Sequence, residues 1–179
     1  MFDTAYEAVQ SGNETVQNSF GVVQALVMSI VRYCISVYGS CGTVQLHRVQ
    51  KVINFCARVV TGRRRFDHIA DAIQQFGWLT AKQLVDYHTV SSVQTAIVTG
   101  QPENINDTIL PRANEQHHHN TRGCDQFKMP RMVTETGKRR LCSRGVATLN
   151  ELRLDPSAPA FRTKLRRRIL SSEPRPNCD

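Results

Sequence analysis

The chain has 179 residues, 40% of them hydrophobic, with 23 lysines and arginines against 15 acids, a net charge of +8 and an isoelectric point near 9.5. That length fits one domain, or one with an appendage, and the charge favours a polyanionic partner without naming it. Neither a secretory leader nor a membrane span is expected: Asp3 and Glu7 sit where a leader is basic, and Gln24, Ser29, Arg32 and Ser36 interrupt the most apolar window. An intracellular location, cytoplasmic or nuclear, follows as the expectation, with no membrane partner.

Residues 14–38 read as the first helix, with Ser11 and Glu14 as a capping box and Phe20, Val23, Val27, Ile30, Val31 and Cys34 as its apolar stripe. Leu46, Val49, Ile53, Cys56 and Val60 are spaced three and four apart and predict a second helix over 43–61, closed by Gly62 in a left-handed cap. Arg63, Arg64 and Arg65 follow. Asp67 is expected to cap a short helix over 67–76, through Ile69, Ile73 and Phe76, with Gly77 ending it. Thr80 and Gln83 form a second capping box, Leu79 and Leu84 a hydrophobic staple, and a helix over 80–99 should start at Ala81. Gly100 and Pro102 end this first stretch, whose short connections suit a bundle.

The second half is less regular. Residues 101–126 are mostly polar and read as a linker with at most one helical turn at Ile105 to Leu110. Met129 to Val133 and Arg139 to Cys142 flank Thr134-Glu135-Thr136-Gly137 as a possible small hairpin. Short helices are expected around Arg144 to Leu152 and from Ser157 to Leu170, the latter with Pro159 in its first turn, and residues 171–179 as a disordered tail. The fold class expected is mainly α, a helical bundle over 1–100 joined by 101–126 to a basic segment, 127–170, of irregular α or small β-hairpin character. Charge follows the same division. Residues 1–60 hold 4 basic and 3 acidic groups, whereas 120–168 hold 13 and 4.

Six cysteines in an intracellular chain suggest free thiols or metal before disulfides. Cys34, Cys41, His47 and Cys56 have zinc-ligand chemistry but lack the short chelating pair that zinc modules use. Cys34 and Cys56 lie on apolar helix faces, where a thiol behaves as a small hydrophobe. His117, His118 and His119 are consecutive, so their rings diverge, and they sit in a polar loop. His68 and His88 have no serine or cysteine partner arranged for catalysis. No metal or cofactor site is expected.

Leu46, Gln50, Asn54, Ala57, Arg58, Val59, Val60, Thr61, Gly62, Arg65, Asp67, His68, Phe76, Gly77, Trp78, Leu79, Gln83, Tyr87 and His88 form an ordered pattern. It resembles the region downstream of the polymerase core in non-LTR (LINE, jockey-like) retrotransposon reverse transcriptases. Upstream, Ser29, Ile30, Tyr33, Cys34, Tyr38 and Gly39 resemble that family's preceding helix. Downstream, Thr121, Arg122, Arg139, Arg140, Arg144, Gly145, Asn150, Leu152, Phe161, Lys164 and Leu165 resemble its tail. The likeness covers roughly residues 22 to 170. Leu149 stands where the family usually has tryptophan, and Arg153 where proline usually follows the leucine.

The resemblance implies the thumb and downstream part of an RNA-directed DNA polymerase, without the palm that carries its metal-binding aspartates. A complete polymerase would not fit in this length. Ile69-Ala70-Asp71-Ala72 superficially resembles the family's catalytic turn, but the second aspartate is missing and the segment reads as helix, so Asp71 is expected to be a solvated surface acid. Phosphoryl transfer needs carboxylates converging on two metal ions, and no such set is present. Mg²⁺ would belong to the absent palm, and no polymerase activity is expected from this chain alone. A thumb grips template–primer duplex by its backbone, so the implied partners are RNA or RNA–DNA duplex, and a polymerase palm if the chain belongs to a longer polyprotein. The candidate contacts are Arg63, Arg64, Arg65, Lys138, Arg139, Arg140, Arg162, Lys164, Arg166, Arg167 and Arg168. The alternative class is a stand-alone helical scaffold or protein-interaction module with a basic tail.

Overall fold

A computed structural model of the chain describes residues 14–33, 35–112, 126–128 and 132–172. It is mainly α-helical, with a small two-stranded sheet, and divides into two compact units, one reaching to Leu84 and the other spanning Val85–Ser172. Ser11, Cys34, the three histidines His117 to His119, Cys124, and the tail beyond Ser172 lie outside the described residues.

In the first unit, α1 (Glu14–Val22) continues through a π-helical segment (Val23–Met28) into α2 (Ser29–Arg32). Tyr33, at φ −61° and ψ 123°, ends the run, and α3 (Ile35–Tyr38) follows. The single amphipathic helix expected over 14–38 is therefore corrected to an interrupted one. Its stripe shifts as well: Phe20 and Val23 are buried, but Ile30 is 73% exposed, and Met28 and Ile35 take the core positions. The wider π turn explains the shift, because it inserts one extra residue per turn and so places Met28, five residues after Val23, on the buried side. The hydroxyl of Ser29 donates to the carbonyls of Ala25 (2.6 Å) and Leu26 (3.0 Å) at the end of the widened turn.

The second predicted helix is found over its full length as α4 (Thr43–Thr61), and Gly62 at φ +66° caps it. Ile53, Cys56, Ala57 and Val60 form its buried face. The next helix, α5 (Ala70–Gln75), starts later than the expected residue 67, and Asp67 does not cap it. Instead the Asp67 carboxylate accepts from the backbone amide of Arg64 at 2.7 Å and closes the preceding loop. Ile69, Ile73 and Phe76 are buried as their spacing requires, and Gly77 turns at φ +61°. Phe20, Phe76 and Trp78 form a triangle with ring centroids 5.3–5.8 Å apart.

The start of α6 (Ala81–Thr99) carries the predicted capping box: the Thr80 amide donates to Gln83 Oε1 (3.0 Å) and the Gln83 amide to Thr80 Oγ1 (3.3 Å). A further first-turn donor, the Ala81 amide, is taken by Gln50 Oε1 of α4 at 2.7 Å, and Gln50 Nε2 donates in turn to Asn54 Oδ1 at 2.8 Å. Leu79 and Leu84, the expected staple, are both buried.

In the second unit, the later turns of α6 are followed by α7 (Glu103–Asn106), β1 (Leu110–Arg112), β2 (Phe127–Lys128), α8 (Glu135–Lys138), α9 (Leu141–Leu152) and α10 (Phe161–Ser172). Val90, Val93, Val146, Leu149, Phe161, Leu165 and Ile169 make its core, with Ile109 and Phe127 packed against them. Ile97 and Phe127, on either side of the polar stretch 101–126, thus pack on one core. Gly145 permits the close crossing of α9 on α6, since a Cβ there would stand 2.5 Å from Val93 Cγ2 and 3.2 Å from the Thr89 carbonyl.

The strands differ from expectation. β1 pairs antiparallel with β2, Leu110 opposite Lys128 and Arg112 opposite Phe127; Met129 to Arg131 lie outside the described residues, and among the described ones no hairpin flanks residues 134–137. There Thr134 Oγ1 accepts from the Gly137 amide at 3.1 Å, an N-cap that commits the segment to helix α8, and α9 already begins at Leu141. Asn150 holds β2 from α9: its Oδ1 accepts from the Phe127 amide (3.1 Å) and its Nδ2 donates to the Phe127 carbonyl (2.9 Å). The last helix begins at Phe161 rather than Ser157. Gln94 Nε2 donates to the Pro156 carbonyl at 3.1 Å, Asp155 Oδ1 accepts from the Ser157 amide, and Ala160 sits at φ +55°, so residues 153–160 are a turn.

Candidate nucleic-acid interface

The eleven candidate cations fall in both units, Arg63 to Arg65 in the first and the other eight in the second. In the α4–α5 loop the three arginines have three fates. Arg63 is engaged within the protein: Nη1 and Nη2 each meet the Asp71 carboxylate at 2.6 Å, and Nη1 also donates to the His68 carbonyl. Asp71 is exposed at the surface, as expected, but it is a paired acid, held at about 2 chiefly by its hydrogen bond from Arg63. The same bond raises Arg63 above the ordinary guanidinium value. Arg64 and Arg65 are exposed, and the Arg65 guanidinium carbon lies 5.7 Å from the centroid of the Phe66 ring. Phe66 is 90% exposed.

In the second unit Lys138 is also engaged, its Nζ 2.7 Å from Glu135 Oε1, and that contact lowers the glutamate's pKa. Arg139 and Arg140 are exposed in the turn between α8 and α9. The Arg139 carbonyl accepts from Arg144 Nε at 3.0 Å; Arg144 is half-buried, and that burial lowers its pKa while Asp86 opposes the shift. On α10 the core line Phe161, Leu165 and Ile169 is buried, while Arg162, Lys164, Arg167 and Arg168 are exposed and Arg166 is half-buried. At 100° per residue, Lys164 and Arg168 flank one side of that line, Arg162 and Arg166 the other, and Arg167 stands opposite. Each flanking pair is four residues apart, about 6 Å along the axis. No acid interrupts α10. Arg162 also lines an open groove of about 480 Å³ with Gln94, Thr95, Val98, Thr99 and Ala160.

Among the described residues, no group of three or more His, Cys, Asp or Glu side chains is placed to hold a metal ion. Cys56 is buried in the core and burial raises its thiol pKa; burial does the same to half-buried Cys142, and Cys41 is exposed. His68 is exposed, and His88 meets Tyr87 edge-on at 5.4 Å between ring centroids. No helix of the described residues is long and apolar enough to cross a membrane.

Sequence reasoning passed over Phe66, although its signal was present: an aromatic directly after three arginines is the interleaving that stacking sites use. It also missed that Asp71 would occupy Arg63, since the partners are eight residues apart across a loop and a helix start. Comparison with protein-family models, with curated proteins and with solved structures finds no match to this chain.

Proposed function

We propose that this chain is a fragment of a transposon-derived RNA-directed DNA polymerase, a post-palm piece that binds the backbone of RNA or RNA–DNA duplex without reading sequence. The observation that carries the binding is α10, whose twelve residues hold five cations and no acid, with Arg162, Lys164, Arg167 and Arg168 exposed. Guanidinium groups pair with phosphate oxygens in bidentate fashion, and contacts of this kind position a nucleic acid rather than specify it. Arg139 and Arg140 add exposed cations in the same unit, while Lys138 and Arg63 are secondary because each already holds a carboxylate. The polymerase origin rests on the ordered motif resemblance. The catalytic aspartates of such an enzyme are missing, so primer extension with Mg²⁺ should yield no product.

Filter binding to a structured RNA across a salt series tests the reading. Each neutralised phosphate contributes roughly 0.7 to 0.9 to the log–log salt slope, so changing Arg166, Arg167 and Arg168 to Gln should flatten it by about 2 to 3. Binding weaker than millimolar at low salt, or indifferent to salt, would overturn it.

A protein-interaction role is the second reading, and one observation favours it. In the first unit Val22, Leu26, Ile30, Tyr33 and Val37 are exposed at successive spacings of four, four, three and four, and Val44, Phe55 and Val59 are exposed on α4. Apolar surface of that extent suits a protein partner, which for a thumb-like fragment would be a polymerase palm. If the triple Gln variant keeps its RNA affinity while a Leu26→Asp, Ile30→Asp variant loses a bound protein, this reading replaces the first.

A further inference from the structure

We propose that the α4–α5 loop is a stacking site for one unpaired nucleobase, with Phe66 as the platform and Arg64 and Arg65 meeting the flanking phosphates; this rests on the nucleic-acid reading above.

Phe66 exposes 90% of its surface, although burying such a ring is worth about 1.5–3 kcal/mol. A single exposed apolar side chain is ordinary on a protein surface. What distinguishes this one is the loop that holds it. Gly62 starts the turn in the left-handed region, at φ +66°. Asp67 then accepts the Arg64 amide at 2.7 Å, and Arg63 clamps both oxygens of Asp71 while donating to the His68 carbonyl. The backbone on either side of Phe66 is thus tied by the loop's own side chains, and the ring is presented from a fixed base.

The same bonds set the charge. Asp67 in the loop and Asp71 at the start of α5 are each engaged by a neighbouring group of the segment, while Arg64 and Arg65, which precede Phe66 in the chain, are exposed. An apolar protein pocket closing over Phe66 would have to strip water from Arg65, whose guanidinium carbon is 5.7 Å from the ring centroid. A nucleotide strand suits both groups, since a base offers a flat π face to the ring and its phosphates offer oxygens to the arginines. Stacking of this kind needs a base free of its pair, which marks single-stranded RNA or DNA as the ligand class.

The experiment compares the full chain with Phe66→Ala, Phe66→Trp and the Arg166, Arg167, Arg168→Gln triple variant, using a 12-nucleotide single-stranded RNA and a fully paired RNA duplex as probes. Because Phe66 touches almost nothing, the thermal transition of Phe66→Ala should match the parent. Phe66→Ala should weaken single-strand binding by roughly five- to a hundredfold and leave duplex binding within twofold, while Phe66→Trp retains both. Unchanged single-strand affinity for Phe66→Ala, with the triple variant still weakened, overturns the stacking site and leaves backbone binding standing. An equal loss on both probes overturns it too. If the parent chain binds neither probe, both readings fall.

Discussion

At the residue scale, neighbouring cations of one kind take different roles according to what the fold brings beside them. Arg63, Arg64 and Arg65 are adjacent in the chain, yet Asp71 captures only the first. Asp71 has its pKa depressed to about 2, so the pairing contributes above the ordinary carboxylate value of 3.8 and is lost as the pH falls toward 2. Arg63→Gln should therefore return the Asp71 midpoint toward 3.8, read from its side-chain carboxyl ¹³C shift; a midpoint staying near 2 would assign the depression to the backbone instead. Gly145 shows the opposite kind of dependence, on space rather than charge. Alanine would gain about 1 kcal/mol of helix propensity, but its Cβ would meet Val93 Cγ2 at 2.5 Å. Overpacking costs about 1–3 kcal/mol. A Gly145→Ala variant should lower the urea midpoint with an unchanged slope, and a raised midpoint would contradict the close crossing of α6 and α9.

At the element scale, helices were legible where their ends and faces are written in adjacent residues. The α4 stripe with Gly62, the Thr80–Gln83 box and the line Phe161, Leu165 and Ile169 are each built of successive residues about one turn apart. On α10 this separation is testable. Leu165→Ala should cost about 2–5 kcal/mol in urea unfolding, whereas Arg167→Gln should stay within about 0.5 kcal/mol while weakening nucleic-acid binding. Other elements were not legible, because a distant group decides them. The third donor of α6 depends on Gln50, thirty-one residues away, so Gln50→Leu should cost about 1–2 kcal/mol through the Ala81 amide left without its acceptor. A stability equal to the parent's would show that water replaces it. The second arm expected for the hairpin, Arg139 to Cys142, gives way for a local reason: Thr134 caps α8, and alternation alone does not reveal that choice. The π segment in 23–28 is likewise invisible to a period of 3.6, which is why the stripe through Ile30 was misread.

At the scale of the molecule, the polar composition of 101–126 suggested a division there, whereas the structure divides the chain between Leu84 and Val85. The reason lies in contacts across long separations: Asn150 on Phe127, Gln94 on Pro156, Gly145 against Val93, and Ile109 in the same core. Gln94 with Pro156 and Val93 with Gly145 join chain from both sides of the polar stretch, Ile109 brings part of the stretch into the core, and Asn150 fixes the strand that follows it. Of the candidate site, the cationic character of α10 was readable from composition and helical spacing, and so was the exposure of Arg64 and Arg65. The engagement of Arg63 and Lys138 was not, nor was the presentation of Phe66.

By itself the sequence determined the mainly α class, the extents of α4 and α6, the core lines of α4, α5 and α10 and the concentration of cations after residue 120, because each depends on periodicity, local caps or counted charge. Only the tertiary structure decided where the chain divides, which cations already hold an acid, and which aromatic faces water. Those outcomes depend on groups that approach through space rather than along the chain.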